Sequence, residues 1–269
     1  MELTFATEPV PGRSAEQNED CVVAGPSWVA VLDGATQPPG LPGGCRHGVA
    51  WVTRALAAAL AARLAAEPGR RARRGESLPD LLAAAIHRVC TDHGGDCDLT
   101  DPDSPSATVT ILRRRGCDLD WLVLCDSPLL LDLHGEVRVI RDDRVDHLAD
   151  YTLEGVRKAR NSSGGFWVAS TRPEAAHQAL TGTIRAAEVR CAGLFTDGAT
   201  RLVERFARTD WAGLLGLLER HGPAGLVKAT REAEAAEPVR GLPARRGKPY
   251  DDATAVFVRP WFSHGSVCG

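Results

Sequence analysis

Short apolar runs broken by Gly, Asp or Pro recur along this chain, and no other feature restricts its fold as strongly. They cover 3–7, 21–24, 28–32, 107–112, 121–125, 129–133, 137–140, 166–169, 193–195 and 253–258, lengths that suit strands rather than helices. His134-Gly135 separates two of them as a hairpin turn would. Helical periodicity is confined to two blocks. In the first, Val49, Val52, Leu56, Leu60 and Leu64 recur every three or four residues. A second helix then opens at Ser77, whose hydroxyl can cap it with Asp80 three positions on. Its apolar face is Leu78, Leu81, Leu82, Ala85, Ile86 and Val89. The other block covers 201–206, 211–218 and 224–236. Strand runs with inserted helices, without strict βαβ alternation, predict an α+β protein of antiparallel sheets covered by helices.

No internal repeat and no long linker divides the 269 residues, so the chain reads as one domain over 1–260 with a loose tail at 261–269. A net charge of -3 supplies no basic field, and neither a nucleic acid nor a membrane surface is expected as partner. The arginine run at 70–74 reads as a solvated loop between helices. The start of the chain has no secretory pattern, and Arg54 and Arg63 interrupt the apolar helix at 49–66, which argues against a membrane span. The eight cysteines contain no C-x-x-C pair, so neither a zinc-finger spacing nor a disulfide framework is visible. Reduced, mostly buried thiols in a cytoplasmic monomer are the expectation, with a weak metal or redox role left open for Cys90 and Cys97.

Acidic residues stand at the ends of the apolar runs. Glu19-Asp20 precedes one, Asp33-Gly34 closes another, Asp126 and Asp197-Gly198 close two more, and Asp251-Asp252 opens the last. Singly, each could be a turn, because Asp caps its own backbone and Gly tolerates positive φ. However, a helix-like segment rather than a strand follows Asp197-Gly198, and a Pro/Gly-rich loop follows Asp33-Gly34, so neither pair is placed as a two-residue hairpin. Carboxylates gathered at one end of two sheets repel one another and bind protons or metal. Oxygen ligands without His or Cys nearby select Mg²⁺ or Mn²⁺. Two such ions, roughly 3.5–4 Å apart, activate a hydroxide and clamp a phosphoryl oxygen.

In order along the chain, Gln17-Asn18-Glu19-Asp20, Val29-Ala30-Val31-Leu32-Asp33-Gly34, Ser106-Ala107-Thr108, Cys125-Asp126-Ser127, Phe195-Thr196-Asp197-Gly198 and Asp251-Asp252-Ala253-Thr254 resemble the motifs of type-2C metal-dependent Ser/Thr protein phosphatases, the PPM family. The resemblance implies a four-layer αββα sandwich, two packed antiparallel sheets flanked by helices, with metals at one end. It implies that Asp33 bridges two Mn²⁺ or Mg²⁺ ions, that Glu19 and the Gly34 carbonyl serve one, and that Asp197 and Asp251 serve the other. Asp126 would assist through water or hold a third, weaker ion, and Asp20 and Asp252 would orient the ligands. Asp33, Asp197 and Asp251 would thus carry catalysis.

The chain departs from the family pattern around the phosphate. The arginine usual four residues before the Glu is Ala15, which leaves Arg13, then Arg46, as the phosphate contact. The family's Gly-Asp-Ser-Arg is Cys125-Asp126-Ser127-Pro128, the loop after Gly34 is lengthened by Gln37-Pro38-Pro39, and Cys45 stands where bacterial members place His. His47 and His147 are the histidines that could protonate a leaving oxygen. Segment 142–165 corresponds to the family's flap, and its Arg157, Lys158 and Arg160 could meet a phosphorylated substrate. The expected activity is hydrolysis of phosphoserine or phosphothreonine on a protein. The alternatives are a phosphatase for small metabolites and a pseudophosphatase that binds without turnover.

Overall fold

The computed structural model describes residues 1–35, 44–66, 76–93, 95–236 and 248–260. The arginine run at 70–74, the inserted Gln37-Pro38-Pro39 and the tail at 261–269 lie outside them. Two five-stranded sheets form the centre. One has the order β1 (Glu2–Glu8), β10 (Ala253–Arg259), β9 (Cys191–Phe195), β6 (Leu129–Leu133), β7 (Glu136–Ile140). The other runs β2 (Cys21–Gly25), β3 (Trp28–Ala35), β4 (Ser106–Arg115), β5 (Asp118–Leu124), β8 (Leu180–Arg185). Every pairing is antiparallel.

Period-two alternation builds the layers. Val29 and Val31 of β3 and Val123 of β5 meet Leu129, Leu131, Leu194, Val256 and Val258 of the opposite sheet. The intervening Trp28, Ala30, Leu32, Leu122 and Leu124 face outward onto α1 (Val49–Ala66) and α2 (Leu78–Asp92). On the far side, Phe195, Ala255 and Phe257 pack against α4 (Asp197–Glu204) and α5 (Trp211–Ala236). The expected αββα sandwich is therefore present. Each fully buried Leu in these layers contributes about 1.5–3 kcal/mol relative to exposure.

Local chemistry accounts for the element boundaries. Ser77 caps α2 by accepting from the Asp80 amide at 3.2 Å, as its spacing predicts. His134 and Gly135 both take positive φ, 58° and 115°, which matches the two-residue turn between β6 and β7. Gly222, at φ 70°, breaks α5 just before Pro223, so this helix is the predicted pair 211–218 and 224–236 joined by a kink. α1 meets the length and hydropathy of a membrane span, at mean hydropathy 1.4, and its two arginines do not prevent this. Its Leu56, Leu60 and Leu64 are instead buried against α2 and the sheet.

Two strand assignments need correction. Residues 166–169 are not a strand: Phe166 and Ala169 make only isolated bridges, and Phe166 and Val168 pack under the segment carrying α3 (Leu153–Ala159). β8 was not anticipated, because it is an edge strand in which only Ile184 is buried.

Candidate active site

The alternation of β3 aims its acidic end. Val29 and Val31 point between the sheets, so Asp33 continues that row while Gly34 continues the row facing α1. A Cβ on Gly34 would stand 2.5 Å from Val49 Cγ1 and 2.7 Å from the Glu19 carbonyl oxygen, so no other residue fits there. The Gly34 amide donates to that same oxygen at 3.2 Å and seats Glu19 beside Asp33.

Asp197 is the first residue of α4, not part of a hairpin turn, and its amide donates to Asp33 Oδ2 at 3.3 Å. Directly behind it, a Cβ on Gly198 would lie 1.9 Å from the Asp252 carbonyl oxygen. This close approach joins the start of α4 to Asp251-Asp252 at the entry to β10. Asp126 follows β5, and Cys125 before it holds φ 70°, the left-handed conformation that suits the glycine usual in the family. Buried hydroxyls steady this turn: Thr108 and Ser127 share a hydrogen bond of 2.6 Å, and Thr110 donates to the Ser127 carbonyl at 2.6 Å.

Beneath the carboxylates lies a buried polar network. Asp252 accepts from the amides of Val10 at 2.7 Å and Glu19 at 2.8 Å. Asp20 Oδ2 accepts from the Thr196 hydroxyl at 2.9 Å, and the Thr254 hydroxyl donates to Thr7 at 2.7 Å. Asp20 and Asp252 thus orient neighbouring segments. The other oxygen of Asp20 is buried with no hydrogen-bond partner among the described residues.

Asp126, Asp197 and Asp251 line a cavity of ≈ 310 Å³ that is walled by Val145, Leu148, Tyr151 and Val156 on the flap side and by Arg205 and Lys248 opposite. Loss of hydration and then the charges of Asp197, Asp20, Asp251 and Asp126 hold Asp33 well above the usual carboxylate range. Asp197 is pushed up to about 7, first by loss of hydration and then by Asp251 and Asp126. Asp20 is raised well above normal, again chiefly by burial. These carboxylates cannot all carry charge together unless a cation joins them. An oxygen-only donor set with an unpartnered oxygen below it fits hard divalent cations such as Mn²⁺ or Mg²⁺.

Arg13 lies on the exposed turn after β1, where its amide donates to Val10 O at 3.0 Å, and its side chain makes no polar contact among the described residues. Arg46 instead pairs with Asp96 at 2.7 Å on the surface. His47 stacks on Trp51 at 4.1 Å between ring centroids, beside α1, and does not line the acidic cavity. His147 is exposed and pairs with Asp143 at 3.2 Å. The flap cations are also engaged: Arg157 with Asp103 at 3.3 Å, Lys158 with Glu154 at 3.3 Å, and Arg160 with the Pro102 carbonyl at 3.5 Å. Lys248, absent from the sequence expectations, lies 3.4 Å from Asp251 Oδ1. Its three-residue spacing from Asp251 was the one available signal.

No protein-family model matches the chain, and no curated protein sequence matches it. Solved structures do. The catalytic domain of the serine/threonine phosphatase PstP in complex with two manganese ions aligns at a TM-score of 0.56 and 21% identity, covering 95% of this chain and 96% of that one. Stp1 from Staphylococcus aureus aligns at 0.61 and 16%, covering 96% and 94%. The PPM Ser-Thr phosphatase MsPP from Mycobacterium smegmatis aligns at 0.52 and 20%, covering 96% and 98%. The fold is that of the bacterial PPM-type Ser/Thr phosphatases over nearly the whole chain.

Proposed function

We propose that this chain is a metal-dependent phosphomonoester hydrolase whose substrates are phosphoserine and phosphothreonine of proteins. The observation that carries this reading is the convergence of Asp33, Asp126, Asp197 and Asp251, from four separate segments, on one end of the sandwich, where burial and the neighbouring charges raise the carboxyl groups of Asp33 and Asp197. Asp33, Glu19, the Gly34 carbonyl, Asp197 and Asp251 would hold the ions, and Asp126 would assist. When bound, two Mn²⁺ or Mg²⁺ ions supply an activated water and positive charge for the phosphoryl oxygens. The residues of the chain position these groups: Asp252 holds Glu19 in place, Thr196 holds Asp20, and the flap residues Tyr151 and Val156 narrow access by water. Arg13, an unengaged cation on a turn tied to the site through Val10 and Asp252, is assigned to the substrate phosphate.

A second reading has a specific observation in its favour. A cavity of ≈ 310 Å³ is near the lower end for small-molecule sites and suits a compact metabolite phosphate. The deciding experiment measures hydrolysis of p-nitrophenyl phosphate with Mn²⁺, then of phosphopeptide and metabolite panels. Asp33→Ala and Asp197→Ala should each lower kcat/KM by about 10³-fold or more, and EDTA should abolish turnover. Absence of turnover at any Mn²⁺ concentration would leave a pseudophosphatase, and preference for metabolites would replace the protein substrate.

A further inference from the structure

Cys45 and His47, just before α1, meet His93 and Cys97, just after α2, although the pairs are far apart in sequence. Among the described residues these four form the only group of three or more metal-capable side chains whose ligand atoms all lie within 4.8 Å of one another. The Cys45 and Cys97 sulfurs are 3.7 Å apart, and His47 Nδ1 lies 3.6 Å from the first and 3.5 Å from the second. A tetrahedron with Zn–S of about 2.3 Å and Zn–N of about 2.0 Å has S–S edges of about 3.8 Å and S–N edges of about 3.5 Å. The three observed separations match these edges.

The surroundings fit as well. His93 is buried, and its Nδ1 donates to the Val89 carbonyl at 2.7 Å, which leaves the Nε2 lone pair free for a ligand. A carbonyl acceptor on the far ring nitrogen is the usual support for a metal-bound histidine. Trp51 stacks on His47, and His93 packs edge-on to both rings at 5.3 and 5.1 Å, so both imidazoles are held in orientation. Cys45 and Cys97 are free thiols, and 3.7 Å is far beyond the roughly 2.05 Å of a disulfide.

We propose that Cys45, His47, His93 and Cys97 bind a structural zinc ion, separate from the carboxylate site. Two thiolates and two imidazoles select zinc over Mn²⁺ or Mg²⁺, and four protein donors leave no open position for a reacting water. The site clamps the start of α1 to the loop that leaves α2, where the Asp98 amide also donates to the Gly44 carbonyl at 2.8 Å. Val49, the first residue of α1, is the side chain that lies against Gly34, so the clamp stands directly behind the metal-bearing end of β3. Zinc uptake releases the two thiol protons as the Zn–S bonds form, with no change of oxidation state.

The test uses the full, tag-free chain and counts zinc by elemental analysis after EDTA washing under reducing conditions. One zinc per chain is expected, released by a mercurial thiol reagent. Replacement with Co²⁺ should give thiolate-to-metal charge-transfer bands and the intense visible bands of a tetrahedral site. Cys97→Ser should lose the equivalent of zinc and melt about 10 °C lower, whereas Asp197→Ala should keep it. If Cys97→Ser fails to fold, the Co²⁺ spectrum of the unaltered chain decides. Zinc-free protein lacking the tetrahedral spectrum, or mass spectrometry showing a Cys45–Cys97 disulfide, would overturn the proposal. None of these readouts depends on phosphatase activity.

Discussion

The acidic cleft and the Cys/His cluster flank the same strand end but are built to opposite specifications. In the cleft, oxygen donors from four segments are spread around an open cavity, and loss of hydration, then the neighbouring charges, raises Asp33 and Asp197. In the cluster, four softer donors close on one point within 4.8 Å, supported by stacked rings and a carbonyl. A wide, unsatisfied ring of carboxylates leaves room for exchangeable ions, water and substrate. A tight, saturated set has room only for its ion. On the two proposals above, one fold assigns reactivity to one place and rigidity to another, with Val49 against Gly34 as the physical link.

The strongest way to break this comparison is Gly198→Ala. The added methyl would fall 1.9 Å from the Asp252 backbone oxygen, so the start of α4 must shift away from β10. Moving Asp197 by even a fraction of an ångström should lower kcat/KM by about 100-fold, with the zinc count unchanged. Loss of zinc in this variant would show that the two regions do not separate.

A smaller effect sharpens the assignment of roles inside the cleft. Arg13→Ala should raise KM about tenfold with kcat little changed, because a residue gripping the phosphate in both ground and transition states contributes uniform binding. An unaltered KM would remove Arg13 from the site and direct attention to Lys248, which already pairs with Asp251.

The smallest effect concerns pH. In metal-free protein Asp197 has a pKa of about 7 when folded, against 3.8 as its ordinary value. Between these values the folded state holds more protons than the unfolded chain, so stability is highest on the acid side and declines as pH rises through about 7. The Tm of EDTA-treated protein should fall by about 5 °C from roughly pH 5 to roughly pH 8, and saturating Mg²⁺ should flatten the curve. A Tm that rises over this range would contradict the crowded-carboxylate picture.

Much of this was visible in the linear chain. Alternating runs such as Val29-Ala30-Val31-Leu32-Asp33 state which side chains share a face, and the structure places both rows accordingly. The cap at Ser77, the turn at His134-Gly135 and the break before Pro223 are local, so local chemistry sufficed to predict them. Edge strand β8 escaped because an edge strand needs little burial, and 166–169 misled because an apolar run can pack under a loop without joining a ladder. The cysteine spacing was informative only in part. Six cysteines are free thiols, as expected, whereas Cys117 is disulfide-bonded, and Cys97, for which a metal or redox role was open, meets Cys45 rather than Cys90.

By itself, then, the order of residues determined the antiparallel layers, the helix pairs and the set of acidic positions at strand ends, because periodicity and capping act over a few neighbours. Only the tertiary structure decided which glycine touches which backbone, and that two cysteines and two histidines lie together. Those depend on contacts between distant segments, whose geometry is set by the packing of whole sheets and helices and leaves no trace in local spacing.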